Sequence, residues 1–403
     1  MKIKPSKSFK NIKVILFTLL LVGFGNSVFG QIYTLSGTGD SILPGSLRAA
    51  VIQSNQDGFP SVIQLQSNQT YVLNITLPEI ILDATTLDLD ILNDGMLTIE
   101  TIGGTLPAII RADFLLPVSD SRVFDIRPNA KLTLKNVIVE NGNTGSEGGG
   151  IRNDNGTVNL INGAIVRNNN AGGAGGGVLN TGNTAILRLV GSSITGNNAT
   201  SGGGIHNGTG ARTVIISTSD VSSNTSVGLG GGILNMDTNS QLFISSSTLT
   251  NNYANAIGGG AITNQNGAKL TITCSSLTLN TTLGQGGGIL NQDPNSRAVI
   301  SSTLISQSRA NQGGGVYNAN QGNTFIIKGS TISLNSGTVG GGGVFNTGNN
   351  SLLTIVSSTI SGNEATGSNA KGGGVHNTVA ATLLITCAYH IKKKSSKVNI
   401  YLL

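Results

Sequence analysis

The sequence is short of most of what builds a catalytic site. It has no tryptophan, 4% aromatic residues, 10% charged residues, two cysteines and three histidines in 403 positions. Two cysteines cannot make a disulfide framework. A nucleic-acid footprint needs clustered basic residues. Of the 24 basic residues, nine lie in residues 1–30 and 391–403, which leaves 15 against 18 acidic residues between them. The net charge of +6 therefore belongs to the two ends, and no nucleic-acid partner is expected. No apolar run reaches the roughly 20 residues of a membrane span. The run VILFTLLLVGFG follows a basic MKIKPSKSFKNIK and precedes small residues around Gly30 and Gln31, the pattern of a secretory signal peptide over residues 1–30. The expected mature chain is secreted or held at the bacterial cell surface, without a transmembrane span.

What the chain has is glycine, 58 of them, and 38% hydrophobic residues, too many for a disordered chain. The glycines show no Gly-X-Y period, which excludes collagen. They fall in a longer repeat. The pattern Gly-Gly-Gly-[Ile/Val]-x-Asn recurs nine times, once as GGGAITN, with its Asn at Asn153, Asn180, Asn207, Asn235, Asn264, Asn291, Asn318, Asn346 and Asn377. The steps are 27, 27, 28, 29, 27, 27, 28 and 31 residues. A second column places an aliphatic residue three before Asn141, Asn168, Asn197, Asn224, Asn252, Asn280, Asn335 and Asn363, with Leu304 and Gln307 as its one break. A third segment, as in AKLTIT and SLLTIV, alternates like a strand.

Three short strands in about 27 residues cannot bury their own apolar faces, so the units must stack. The expected fold is all-β, a right-handed parallel β-helix of about 27 residues per coil, with nine regular coils rising about 4.8 Å each. Residues two apart on a strand share a face, so the aliphatic residue and the Asn of each triplet unit point inward. Stacked inward amides can bond to one another, as in the asparagine ladders of cross-β assemblies. The residue between them points outward, and this column reads Arg152, Leu179, His206, Leu234, Thr263, Leu290, Tyr317, Phe345 and His376. Apolar side chains facing solvent in a line would form a binding stripe for a glycan or protein.

Residues 31–131 are less regular than residues 132–387. Ser46 is placed to cap a short helix over Leu47–Ser54, with a strand following around Val62–Leu65. Such a helix would shield the open edge of the first coil. The stretch Ser46, Leu47, Arg48, Ala49, Ala50 resembles the Ser-Leu-Arg-Glu-Ala box of secreted bacterial β-helix proteins, with Ala49 in place of the glutamate. The glycine and Asn columns are similar to the repeats of the polymorphic outer membrane proteins. That resemblance implies a parallel β-helix of passenger or adhesin type at the cell surface.

Pectinolytic lyases need clustered carboxylates for calcium and a basic proton acceptor, and β-helix glycosidases need two or three acids on neighbouring coils. The repeats supply neither. Asp237 and Asp293 are two coils apart, and His206 and His376 occupy the same position six coils apart. The calcium-binding Gly-Gly-x-Gly-x-Asp nonapeptide and the Gly-Lys-Ser/Thr phosphate loop are both missing. Cys274 and Cys387 lie in equivalent positions four coils apart, too far to pair. No cofactor and no metal are expected. Charge concentrates instead in residues 66–131, at Asp83, Asp88, Asp90, Asp113, Asp120, Asp125, Arg111, Arg122 and Arg127. Asp88, Asp90 and Asp94 read as a solvated turn, and an alternative carbohydrate-active site would have to sit in this region. Rows of hydroxyls at Thr248, Thr303, Thr331 and Thr359 suit binding to ice or another ordered surface. The basic tail, residues 388–403, departs from the repeat after Cys387 and reads as a frameshift or truncation that would leave an exposed strand edge.

Overall fold

The computed structural model describes residues 30–74, 88–92, 96–113, 120–368, 370–378, 380–386 and 391–392. Residues 1–29, where a signal peptide is expected, and Asp83, Asp94, Cys387, His390 and most of the basic tail lie outside the described residues. The chain is a mostly-β parallel β-solenoid of about 12 turns with about 28 residues per turn, and one short helix near its start.

Each regular turn crosses four sheets, one more than the periodicity suggests. The first is a wide sheet of 13 strands running from Gln31–Thr34 to Thr382–Thr386. Next comes a 12-stranded sheet that begins at Thr70–Leu73, here the hydroxyl sheet. A 10-stranded bridging sheet follows, with strands such as Asn170–Ala174 and Asn198–Ser201. Last is an 11-stranded asparagine sheet carrying the residues after the glycine triplets, as in Val178–Thr181. The bridging strands escape the sequence pattern because they carry no alternating aliphatics. Their inward positions hold small residues such as Ala171, Ala199, Ala254 and Ala310.

Inside, each turn contributes aliphatic side chains from three sheets. In one turn Leu242 and Ile244 come from the wide sheet, Leu249 from the hydroxyl sheet and Ile233 from the asparagine sheet, all at 0–1% exposure. Stacking in exact register puts like on like. Asn153, Asn180, Asn207 and Asn235 are directly paired positions on successive strands.

Two interior amide ladders result. In the first, each Asn donates from Nδ2 to the Oδ1 of the next, from Asn153 to Asn377, at 2.7–2.8 Å in every step. In the second, one Oδ1 accepts both the backbone N–H and the Nδ2 of the preceding Asn, as Asn224 does from Asn197 at 3.0 Å. The remaining Nδ2 proton reaches a strand carbonyl, for Asn224 that of Ile194 at 3.0 Å. Every polar atom of the Asn224 side chain is thereby used, which is what makes a buried amide tolerable, whereas Oδ1 of Asn153, at the start of the first ladder, has no partner among the described residues.

The second ladder starts one residue later than the sequence reading. Its members are Asn169 and Asn197 onward, while Asn141 and Asn168 stand at the preceding corner with φ of 64° and 53°. Val139 and Val166, not Ile138 and Ile165, point inward. The apparent break at Leu304 and Gln307 shifts in the same way. Ile305 and Ser308 take the inward places, both fully buried, and the amide run is interrupted at Ser308. A third inward column carries hydroxyls. Ser247, Ser275, Thr303, Ser330 and Ser358 are buried in a line, with hydroxyls accepting backbone N–H groups of the preceding turn at 3.1–3.3 Å where the chain continues through Ser275, Ser330 and Ser358.

The glycine triplets make the corner between the bridging and asparagine sheets. In the turn around Gly175–Gly177 the first glycine has φ of 69°. A Cβ on the second would lie 2.3 Å from the carbonyl oxygen of Asn198, and one on the third 2.7 Å from that of Gly204. Positive φ and backbone contact from both sides leave no room for a side chain.

At the N-terminal end, helix α1 (Leu47–Asp57) begins where expected and runs one turn longer than Ser54. Ser46 caps it by accepting the N–H of Ala49 at 3.1 Å, and Gly58 closes it in the left-handed conformation. Leu47, Ala50 and Val51 pack onto the first turn. Arg48 is fully buried and paired to Asp40 at 2.8 Å, with a further bond to the Asp88 carbonyl at 3.0 Å. In the tail, Ile391–Lys392 pairs with the hydroxyl-sheet strand Thr359–Ser361.

Candidate functional site: a closed column, a charge cluster and an open face

The outward column of the asparagine sheet is not a surface. Leu179, Leu234, Thr263, Leu290, Tyr317 and Phe345 are all buried, Leu290 at 0% and Tyr317 at 7% exposure. Only Arg152, His206 and His376 are partly open. The first glycine of the triplet turns back over them, as Gly202, Gly286, Gly313 and Gly341 do over His206, Leu290, Tyr317 and Phe345. A Cβ on Gly341 would lie 2.7 Å from the Cβ of Phe345, and one on Gly340 would lie 2.9 Å from Nδ1 of His376. The column is a second, minor core. Tyr317 stacks on Phe345 with ring centroids 5.2 Å apart, and Phe345 meets His376 edge-on at 4.5 Å. Burial holds the His206 imidazole down at about 4, with nearby Asp237 opposing. Its Nδ1 has no hydrogen-bond partner among the described residues. The expectation that this column faces solvent is thus corrected for Leu179, Leu234, Thr263, Leu290, Tyr317 and Phe345.

Followed toward the N-terminus, the same column turns charged. Asp90 pairs in register with Asp125, and Asp125 with Arg152. Asp88, Asp90 and Asp125 bring carboxylate oxygens within 4.8 Å of one another. The expected solvated turn is instead a buried cluster, with Asp90 at 2% and Asp125 at 1% exposure. Three guanidinium groups make this possible. Arg122 reaches Asp88 and Asp125 at 3.4 and 3.3 Å, Arg127 reaches Asp90 at 3.1 Å, and Arg152 reaches Asp125 at 3.2 Å. Burial, and then the Asp88 charge, push the Asp90 carboxyl up to about 6. The cap is tied to this strand, because the Asn55 amide donates to the Asp90 carbonyl at 2.8 Å and accepts from Leu92 N–H at 3.1 Å.

A hard cation would find three carboxylates here, but each already faces a guanidinium, and the arrangement balances charge rather than leaving it available. Arg111 does not join the cluster. It shares Glu140 with Arg167 on the hydroxyl sheet. Asp113 is exposed, and the Asp120 side chain lies outside the described residues. Cys274 is free and exposed, with φ of 47°. A cleft of about 230 Å³ between α1 and the first strand is lined mainly by apolar residues, among them Leu35, Ile42, Pro44 and Ile52.

The outer face of the hydroxyl sheet is partly open, with Thr248 and Leu304 exposed, Ser306 buried and the other positions half-buried. Seven successive strands place two residues each in register on it. One row reads Ser193, Asp220, Thr248, Ser276, Leu304, Thr331, Thr359, and the other Thr195, Ser222, Thr250, Thr278, Ser306, Ser333, Ser361. Thr303 is absent from it, because it belongs to the buried column one residue earlier. Neighbouring hydroxyls bond along the rows, Ser222 to Thr195 at 3.2 Å and Thr250 with Thr278 at 3.1 Å, while Thr248 donates to Asp220 at 2.7 Å. The sequence shows three of the seven positions of one row and none of the other, since the signal is a Ser/Thr-x-Ser/Thr pair whose phase only the strand register supplies. No protein-family model and no curated protein matches the chain.

Proposed function

We propose that the protein is a secreted or cell-surface rod without catalytic activity, which holds a glycan or protein partner on an outer face of its solenoid. The observation that carries this reading is the hydroxyl face, a repeated and partly accessible array on a frame whose aromatic column and carboxylate cluster are enclosed. The resemblance of its repeats to those of the polymorphic outer membrane proteins points the same way. A buried, arginine-compensated carboxylate cluster offers a substrate little access, which counts against turnover.

The second reading is a β-helix lyase or glycoside hydrolase working at Asp88, Asp90 and Asp125. It draws on one observation, the Asp90 carboxyl raised to about 6 beside two other carboxylates, since a general acid needs such a value near neutral pH. The test incubates the full chain with uronate-containing and neutral polysaccharides, with and without calcium. It follows unsaturated-uronate absorbance, new reducing ends and retention on the polymer. A binding rod gives retention without turnover. Turnover on any of them overturns it in favour of the enzyme.

A further inference from the structure

The hydroxyl face has features the fold does not require. Strand geometry sets its two rows about 6.6 Å apart and its turns about 4.8 Å apart. Of the fourteen positions, twelve are serine or threonine and only Asp220 is charged. A charged polymer gains no ion pairs from such a surface, whereas hydroxyls both donate and accept.

The face is also interrupted by leucines. Leu304 replaces a hydroxyl in its row and is 37% exposed. Leu279 and Leu334 stand at the adjoining corner, 47% and 61% exposed, with φ of 59° and 58°. The same corner in other turns uses Asn168, Gly196, Asn251 or Gly362, which accept the left-handed conformation readily, and the polar Ser223 and Gln307. A bulky apolar residue held there is strained and leaves about half of its surface in the open. Strain kept at an exposed position points to use.

Building on the binding reading above, we propose that this face is a docking surface for an extended, uncharged polysaccharide lying along the rod axis. A pyranose unit is close to one turn of the solenoid in length, so successive sugars meet successive turns. Their hydroxyl edges face the serine and threonine rows, and their C–H faces rest on Leu279, Leu304 and Leu334. Asp220 lies toward one end of the array and leaves the middle neutral.

The test measures retention of the full chain on insoluble cellulose, chitin and β-1,3-glucan, with soluble polygalacturonate as the charged comparison. The triple variant Thr250→Val, Thr278→Val, Leu304→Ser is expected to bind at least one neutral polymer about tenfold more weakly than wild type, equivalent to about 1.4 kcal/mol, at an unchanged unfolding midpoint. Thr271→Val, on the outer face of the wide sheet, should bind as wild type. Leu334→Asn separates function from structure, because relief of the corner raises its midpoint while retention falls. Equal retention of wild type and the triple variant overturns this inference and leaves the binding rod standing. Retention on polygalacturonate alone overturns it as well. Failure of the wild type to bind any polymer overturns this inference and the glycan form of the binding rod together, and leaves only a protein partner for the face.

Discussion

Substituting Asn235 by Ala cuts the first amide ladder at its middle. Asn235 donates to Asn264 Oδ1 at 2.7 Å and to the Lys269 carbonyl at 3.1 Å, and accepts from Asn207 at 2.7 Å. In the variant Asn207 keeps bonds to the Ala211 and Gln241 carbonyls, both at 3.2 Å. Asn264 Oδ1, fully buried, loses its donor. One stranded buried acceptor costs about 1–3 kcal/mol, and each lost bond about 0.5–1.5 kcal/mol, so a total near 3 kcal/mol is expected. Asn377 ends the ladder and is partly exposed. Its removal strands no further amide, and Asn346 keeps the Thr382 carbonyl at 3.0 Å, so Asn377→Ala should cost about 1 kcal/mol. Because a solenoid unfolds in nearly one dimension, the assay is amide exchange resolved by turn, supported by urea unfolding. Faster exchange should spread from Ile205 to Ile262 in the Asn235 variant and stay at the C-terminal turns in the other. Equal effects of the two substitutions, or a loss below about 1 kcal/mol at Asn235, would refute the ladder as a source of stability.

Other predictions concern charge, backbone and cap. Asp90 titrates at about 6 in the fold against 3.8 as its reference, so its contribution is fully present below 3.8 and is lost as pH rises through 6. Its turn should gain stability on mild acidification, by at most about 3 kcal/mol, and Asp90→Asn should abolish that response. His206 works in the opposite direction. Its value of about 4 lies below the reference 6.5, so stability present above 6.5 is lost as pH falls toward 4, and His206→Gln should flatten exchange against pH around Asn207. Gly314→Ala forces a Cβ to within 2.4 Å of the Ser336 carbonyl oxygen and 2.5 Å of that of Gly342, and should lower the unfolding midpoint more than Gly163→Ala, where the nearest atom stands at 3.5 Å. Arg48→Met leaves Asp40 and the Asp88 carbonyl without that partner in a buried setting, and should cost about 3–5 kcal/mol, visible as early exchange of α1.

The period, the glycine corner and the first ladder were legible because stacking forces the same residue into the same place at every turn. Ser46 and α1 were legible from local capping chemistry alone. The errors share a cause. Strand alternation says whether a side chain points in or out, but not whether another segment crosses above it, so Tyr317 and Phe345 read as surface. Where two aliphatics adjoin, as at Ile165–Val166, the sequence leaves the phase open by one residue, and the corner's left-handed backbone decides it by claiming Asn168. The pairing of Asp90 with Asp125 needed the register of irregular turns 35 residues apart, which has no sequence signal. The hydroxyl face was seen only in part for the reason that misplaced Thr303, a phase error of one.

The central claim is that the aromatic column is enclosed while the hydroxyl face is partly open, and hydroxyl-radical footprinting of the full chain tests it most directly. Aromatic rings are intrinsically more reactive than leucine, so accessibility alone can reverse the order. The account predicts that Leu279 and Leu334 oxidise readily while Tyr317 and Phe345 stay protected until the chain unfolds. Rapid oxidation of Tyr317 and Phe345 in the native chain, with the leucines spared, would return the binding surface to the column and contradict the account.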